Sequence, residues 1–477
     1  MEQHDQRELS RRGLFASATA LAAVMVSEGR PGRAVAQALP GASRLPARTE
    51  FVVRGAYVVT MDPALGELPA ADVHVRDGSI VAVGRLLNVA NAEVIDGRGF
   101  IAMPGLIETH WHMWNTIARN MAGDDEQHGY FPVQLALGAL FSPEDNARGV
   151  RLSLAEAISS GITTVHNWAH NLLGPGYADA EIAVHREIGI RARYSYGYSR
   201  NTKAGDTLPF ADIMRIKNTW FSPGDGLTAL GIASKGPETN AVDICRKEWE
   251  FARNLGLPIT THVSMYPKKH DAIKRLGDAG LLGPDVQLIH ATNASAAEVA
   301  MIGATGTHVS VSPYTEMRTG FGFGPYGELL ATGVPVSLSI DTTVLCGNAD
   351  MFGIMRGVQN VENGRKQNEF ALPAKRALQM GTIEGARDLG VAGSVGSLTP
   401  GKRADLILVR GGEIHSQPLN DVTHALVQSV QASDVDTVVI DGRFLKRHGR
   451  LTAIDVERVV REAAMTISRV RSQLGTA

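Results

Sequence analysis

Cysteine is nearly missing from this chain: Cys245 and Cys346 are the only two in 477 residues. Two thiols cannot staple a fold or build an all-cysteine zinc module, so the core must come from apolar burial and any metal from other ligands. Charge of one sign is not in excess, with 47 Lys and Arg against 49 Asp and Glu. That balance leaves no electrostatic footprint for nucleic acid. Beyond residue 40 no apolar run approaches the roughly eighteen residues of a membrane span. With 44% hydrophobic residues the chain is neither disordered nor fibrous, and its length suits one large domain with a smaller companion. Histidine is the exception to this scarcity, with 15 residues as a reservoir of metal ligands.

The beginning of the chain does not read as fold. Ser10-Arg11-Arg12-Gly13-Leu14-Phe15 leads into an apolar stretch from Leu14 to Val26, and Ala34-Val35-Ala36 and Ala36-Gln37-Ala38 supply small-x-small cleavage sites. Residues 1–38 resemble a twin-arginine export signal, which implies a soluble mature chain starting near Gln37 in the periplasm or outside the cell.

Short apolar runs punctuated by Gly, Asp and Asn follow: Phe51-Val52-Val53, Ala56-Tyr57-Val58-Val59, Val73-His74-Val75 and Ile80-Val81-Ala82-Val83. These read as strands and turns. The same texture returns in Ala404 to Val409 and in Thr437-Val438-Val439-Ile440, which runs into the turn Asp441-Gly442-Arg443. Between them strand-like runs alternate with helical patterns, as a (β/α)8 barrel requires. The expected architecture is α/β: a TIM barrel over 105–389, a small discontinuous β-sandwich from 50–104 and 390–450, and a C-terminal helix within 451–477. In that helix Val456, Val459, Val460, Ala463, Ile467, Val470 and Leu474 fall at helical spacing.

Met103-Pro104-Gly105-Leu106-Ile107-Glu108-Thr109-His110-Trp111-His112 is the most informative stretch. Residues two apart on a strand share a face, so His110 and His112 can aim both imidazoles at one point. His262 closes the run Leu257 to Thr261, His290 closes Val286 to Ile289, and Asp341 closes Pro335 to Ile340. Each is a polar group where an apolar strand stops, at the end of the barrel where active sites are built. Three imidazoles and a carboxylate make a mixed N/O site suited to one divalent cation, Zn²⁺ foremost, with Fe²⁺, Mn²⁺ or Co²⁺ as substitutes.

On these residues the chain resembles the amidohydrolase superfamily, and within it the branch of cytosine deaminase-like and s-triazine hydrolase (ATZ/TRZ-like) enzymes. Further motifs carry the likeness: Gly161-Ile162-Thr163-Thr164-Val165 and the stretch from Gly396 to Leu406. The resemblance implies His110, His112, His262 and Asp341 as metal ligands and Asp341 as general base. It implies His290 as a group touching the attacking water or the substrate. The implied activity is metal-dependent hydrolysis of a C–N bond of amide, urea, carbamate or amidine type in a small aromatic or heterocyclic molecule. The alternatives are an aminohydrolase of an aminopurine, aminopyrimidine or aminotriazine, and a non-catalytic ligand-binding barrel. A homo-oligomer is the default for such barrels.

Two positions depart from the branch. Met265 stands where most of its deaminases carry a glutamate, three residues after the fifth-strand histidine, and a thioether cannot carry a proton. Either another group substitutes, with Glu238 and His290 as candidates, or the bond cut needs less proton help, as in a urea, carbamate, amide or halogenated heteroaryl substrate. Lys235 stands where the branch has a substrate-binding histidine, and three roles are open to it: substrate contact, a carboxylated bridge to a second metal, or structure. Around the expected mouth, His166 and His170 belong either to a polar loop or to substrate contact, and Trp111, Trp114 and Trp168 either stack on a ring or pack.

Overall fold

The computed structural model describes residues 45–199, 202–224, 226–267 and 271–475. The twin-arginine stretch lies outside the described residues. Barrel and sheet both belong to one compact unit, residues 43–477.

Eight parallel strands follow one another in sheet order as they do in sequence: Leu106–Ile107, Ile162–Ala169, Arg191–Gly197, Thr228–Ser234, Ile259–Val263, Val286–His290, His308–Val311 and Val336–Leu338. Such strands are covered on both faces, which is why Ile162–Ala169 is buried along its whole length. The first and eighth strands close the ring through their extensions: Thr109 N–H donates to the Leu338 carbonyl at 3.3 Å, and Asp341 N–H to that of His110 at 2.9 Å. Helices return the chain between strands. The one over Pro143–Ser159 starts where its sequence says it should, at a Ser142/Asp145 capping box with proline in its first turn.

The two strand-rich ends meet in one mixed nine-stranded sheet. Phe100–Pro104 pairs antiparallel with Leu406–Arg410, Pro104 opposite Leu406. The first two expected runs are a single strand, Phe51–Val59, with a register shift between Val53 and Ala56. Gly55 sits there at φ +72, the left-handed conformation a bulge residue needs, so the breaker bends the strand without ending it. The sheet curls on itself: Phe51 meets Phe444 at 4.8 Å between ring centroids although several strands separate them in the sheet. Period-two alternation divides the work. Ala102, Leu406 and Leu408 fill the inside of the curl, while Ile101, Met103, Ile407 and Val409 join the barrel core. The C-terminal helix, Val456–Leu474, buries Val459, Ala463, Thr466 and Val470; Val456, Val460 and Leu474 of the expected face remain exposed.

Candidate metal centre

The barrel's C-terminal rim gathers the strand-end histidines. His110 Nε2 lies 3.2 Å from His262 Nε2 and 3.3 Å from Asp341 Oδ1, and His112 Nε2 is 3.3 Å from the same Oδ1. Two ligands at about 2.0–2.1 Å from a tetrahedral zinc stand roughly 3.3 Å apart. The donor atoms of His110, His112 and His262 all fall within 4.8 Å of one another, as do those of His110, His290 and Asp341. Three imidazoles and a carboxylate at that spacing fit a divalent cation. His110, His112, His290 and Asp341 are buried and His262 is half-buried, so the set opens beside His262.

Local backbone and electrostatics prepare this cluster. His290 and Asp341 adopt φ +73 and +64, a left-handed conformation that costs a non-glycine residue about 1–2 kcal/mol. Asp341 is kept there by its own N–H bond to His110 and by His112 N–H donating to its carbonyl at 2.7 Å. Burial, reinforced by the neighbouring imidazoles, holds the pKa of His110 and His262 well below the ordinary histidine value. Burial also lowers that of His112, against the attraction of Asp341. These rings are therefore neutral, the form that ligates metal. For His290 burial pulls downward too, but its hydrogen bond to Glu316 and the nearby Asp341 carboxylate raise the pKa overall.

Two carboxylates that the sequence reading passed over support the rim. Glu108, fully buried, accepts the N–H groups of His110 at 2.8 Å, Ile340 at 3.3 Å and His166 at 3.4 Å, tying together the first, second and eighth strands. Burial pushes its pKa up to about 8. Glu316 takes His290 Nδ1–H at 3.1 Å, leaving Nε2 to face Asp341 Oδ2 at 3.9 Å. The Ser312-Pro313 start of the helix Pro313–Arg318 was the available signal, since Glu316 also accepts Ser312 N–H at 2.8 Å.

Two of the expected substrate contacts, His166 and Trp114, are placed differently. His166 is spent inside the barrel, Nδ1 on the Thr109 carbonyl and Nε2 on Ser195 Oγ, both at 2.7 Å, which corrects the expectation that it meets substrate. Trp114 is likewise corrected: it is fully buried against Phe141 and points Nε1 at His170 Nδ1, 3.3 Å away. Lys235 follows the fourth strand as expected, with Nζ 2.5 Å from the Thr202 carbonyl and 5.1 Å from the centre of the Tyr198 ring. The aromatic wall is built by Trp168, 4.4 Å from His262 and 5.6 Å from Tyr198 between centroids, and by His170, 4.3 Å from His112.

Residues 101–445 match the model of the amidohydrolase family. The chain is 30% identical over 431 residues to a 5'-deoxyadenosine deaminase of Methanosarcina mazei, covering 87% of this chain and 96% of the relative. It is 27% identical over 407 residues to a 5-methylthioadenosine/S-adenosylhomocysteine deaminase of Caldanaerobacter subterraneus, covering 83% and 93%. Among solved structures, an adenosine deaminase from Xanthomonas campestris with bound zinc superposes with TM-score 0.82 at 24% identity, covering 90% of this chain and all of the other. Atrazine chlorohydrolase from Arthrobacter aurescens, complexed with zinc, gives 0.79 at 23% identity, covering 87% of this chain and all of its own. Among the described residues no helix is long and apolar enough to cross a membrane.

Proposed function

The chain belongs to the amidohydrolase family and is a hydrolase of carbon–nitrogen bonds, and we propose that it removes the exocyclic amine of a small amino-substituted nitrogen heterocycle as ammonia. The observation that carries this reading is the convergence of three neutral imidazoles and Asp341 beside an aromatic wall, with His110–His262, His110–Asp341 and His112–Asp341 at 3.2–3.3 Å. This is the alternative that the sequence reading set beside hydrolysis of an amide, urea, carbamate or amidine. The relatives named as deaminases of adenine nucleosides support the choice of substrate class.

His110, His112, His262 and Asp341 would hold one divalent cation, zinc on the N/O donor set. Bound there it supplies a water acidified toward neutral pKa. Asp341 accepts the proton of the attacking water. His290, fixed through Nδ1 by Glu316, keeps Nε2 beside the oxygen that adds to the ring carbon. Tyr198, half-buried and backed by the buried Trp168, offers a flat face to the heterocycle, and Lys235, over Tyr198, meets the polar side of the substrate. We place the chain in the cytosine deaminase-like and s-triazine hydrolase branch and in the periplasm or cell exterior, on the motifs quoted above and the export-like residues 1–38.

Product release by the zinc-loaded chain tests the activity, read as ammonia from 5'-deoxyadenosine, an aminopyrimidine and an aminotriazine, and as the freed amine from an anilide, a urea and a carbamate. Ammonia from an aminoheterocycle, lost in Asp341→Asn, is the expected result. Turnover confined to the other three classes overturns deamination, and zinc binding without any turnover favours a ligand-binding barrel. Fractionation of cells making the chain tests export: the protein is expected outside the cytoplasm, and retained inside it when Arg11 and Arg12 are both changed to Lys.

A further inference from the structure

Removing an amine from a ring carbon moves two protons. One leaves the attacking water, and Asp341 is placed to receive it. The other must reach the ring nitrogen, which cannot accept the electrons of the C=N bond without it. His290 is already committed to the oxygen side by its bond to Glu316.

The loop after the fourth barrel strand brings a carboxylate to the nitrogen side. Gly236 has φ +71, and a Cβ there would lie 2.0 Å from Thr261 Oγ1, so only glycine lets this loop press onto the end of the fifth strand. Its N–H donates to Ser234 Oγ at 3.1 Å, and its carbonyl accepts the N–H of Asn240 at 3.1 Å, closing a turn around Pro237 and Glu238. The turn lays Glu238 over the end of the fifth strand, where Oε1 accepts the N–H of Met265 at 3.2 Å. Met265 is itself held by Asn293 Nδ2, which donates to its carbonyl at 2.8 Å. The same Asn293 Nδ2 donates to the Phe321 carbonyl at 3.0 Å, and the Phe321 ring stands 5.0 Å from Tyr266 and 5.5 Å from His290 between centroids, so the strand end that holds Glu238 lies beside His290.

We propose that Glu238 is the catalytic residue that gives a proton to the ring nitrogen and later recovers one, standing in space where the sequence has Met265. The assignment rests on the deamination reading. As the water oxygen bonds to the ring carbon, its proton passes to Asp341, and Glu238 protonates the ring nitrogen while C=N becomes C–N. The bond to the amine then breaks with its electron pair on nitrogen, which takes the proton from Asp341 and leaves as ammonia. The hydroxyl proton returns to Glu238 as the carbon becomes a carbonyl.

The test compares the zinc-loaded full chain with Glu238→Gln, Met265→Glu and the double variant, using 5'-deoxyadenosine and acetanilide as probes, with zinc per chain measured for each. Glu238→Gln is expected to lower kcat by about 10²–10⁴-fold with KM and zinc content unchanged. Adding Met265→Glu to it is expected to restore roughly tenfold or more, because the new carboxylate enters from the adjoining backbone position. A Glu238→Gln variant within about threefold of wild-type kcat overturns the assignment. So does a loss of kcat that comes with loss of zinc and no recovery in the double variant, since Glu238 would then only hold the loop. If wild type cleaves the anilide alone, the deamination reading fails while the same comparison on the anilide still decides the role of Glu238. Silence on these probes and on the aminopyrimidine and aminotriazine overturns both.

Discussion

Replacing Glu316 separates what holds the rim together from what the rim does. Three donors converge on this fully buried carboxylate: His290 Nδ1–H at 3.1 Å and Ser312 N–H at 2.8 Å on Oε1, and the Tyr326 hydroxyl at 2.5 Å on Oε2. Glu316 and Tyr326 are inaccessible to solvent and His290 nearly so. Truncation to Ala strands all three donors, each worth roughly 1–3 kcal/mol when left unmade, so Glu316→Ala is expected to cost on the order of 4 kcal/mol after partial repacking. Glu316→Gln keeps an oxygen for His290 and Ser312 and turns its amide to Tyr326, whose hydroxyl then accepts. It should cost only about 1 kcal/mol but lower kcat about 10–100-fold with KM little changed, the usual effect of removing a group that orients a functional imidazole. Urea unfolding and steady-state kinetics of the zinc-loaded variants are the assays. An alanine variant within about 1 kcal/mol of wild type would refute the reasoning, as would a glutamine variant with unchanged kcat.

Asp341→Asn removes the charge that faces both His110 and His112, and zinc content measured after purification should fall below that of wild type. Chelation of the wild type should lower its melting temperature, by the equivalent of about 2.7 kcal/mol where free zinc had been at a hundred times Kd. Arg191 forks onto Asp405 at 2.8 and 3.1 Å, joining the third barrel strand to the outer sheet, and both side chains are buried. Arg191→Met leaves Asp405 charged without that partner and should destabilise by about 3–5 kcal/mol in urea melts. Burial holds the Lys446 ammonium, 2.5 Å from the Ser159 carbonyl, at a pKa of about 8 against an ordinary 10.5. Between those values the unfolded chain binds a proton that the folded chain has released, so stability rises with pH across this window. Lys446→Met should flatten that rise, read as melting temperature from pH 8 to pH 10.

Trp114 and His166 show where the sequence ceased to be legible. His166 and Trp168 share one face of the strand Ile162–Ala169, His170 follows it at the same parity, and the contacts of all three point inward. Height along the barrel axis separates them. His166 lies one layer too low and is consumed by Thr109 and Ser195, while Trp168 and His170 reach the rim beside His112 and His262. Trp114 belongs to a short 3-10 helix, Met113–Ala118, whose side chains follow no strand rule, and it packs behind His170 against Phe141.

Strand alternation and the places where apolar runs stop are local properties of the chain. They are enough to put His110, His112, His262, His290 and Asp341 at one end of a barrel, because parallel strands in register end at a common rim. The reach of a loop has no period. Glu316, folded back by its helix start, and Glu238, carried across the fifth strand by the turn at Gly236, come to the rim through the path of the connections between strands. Only the tertiary structure decides that path, since it depends on which neighbouring backbone leaves room for it.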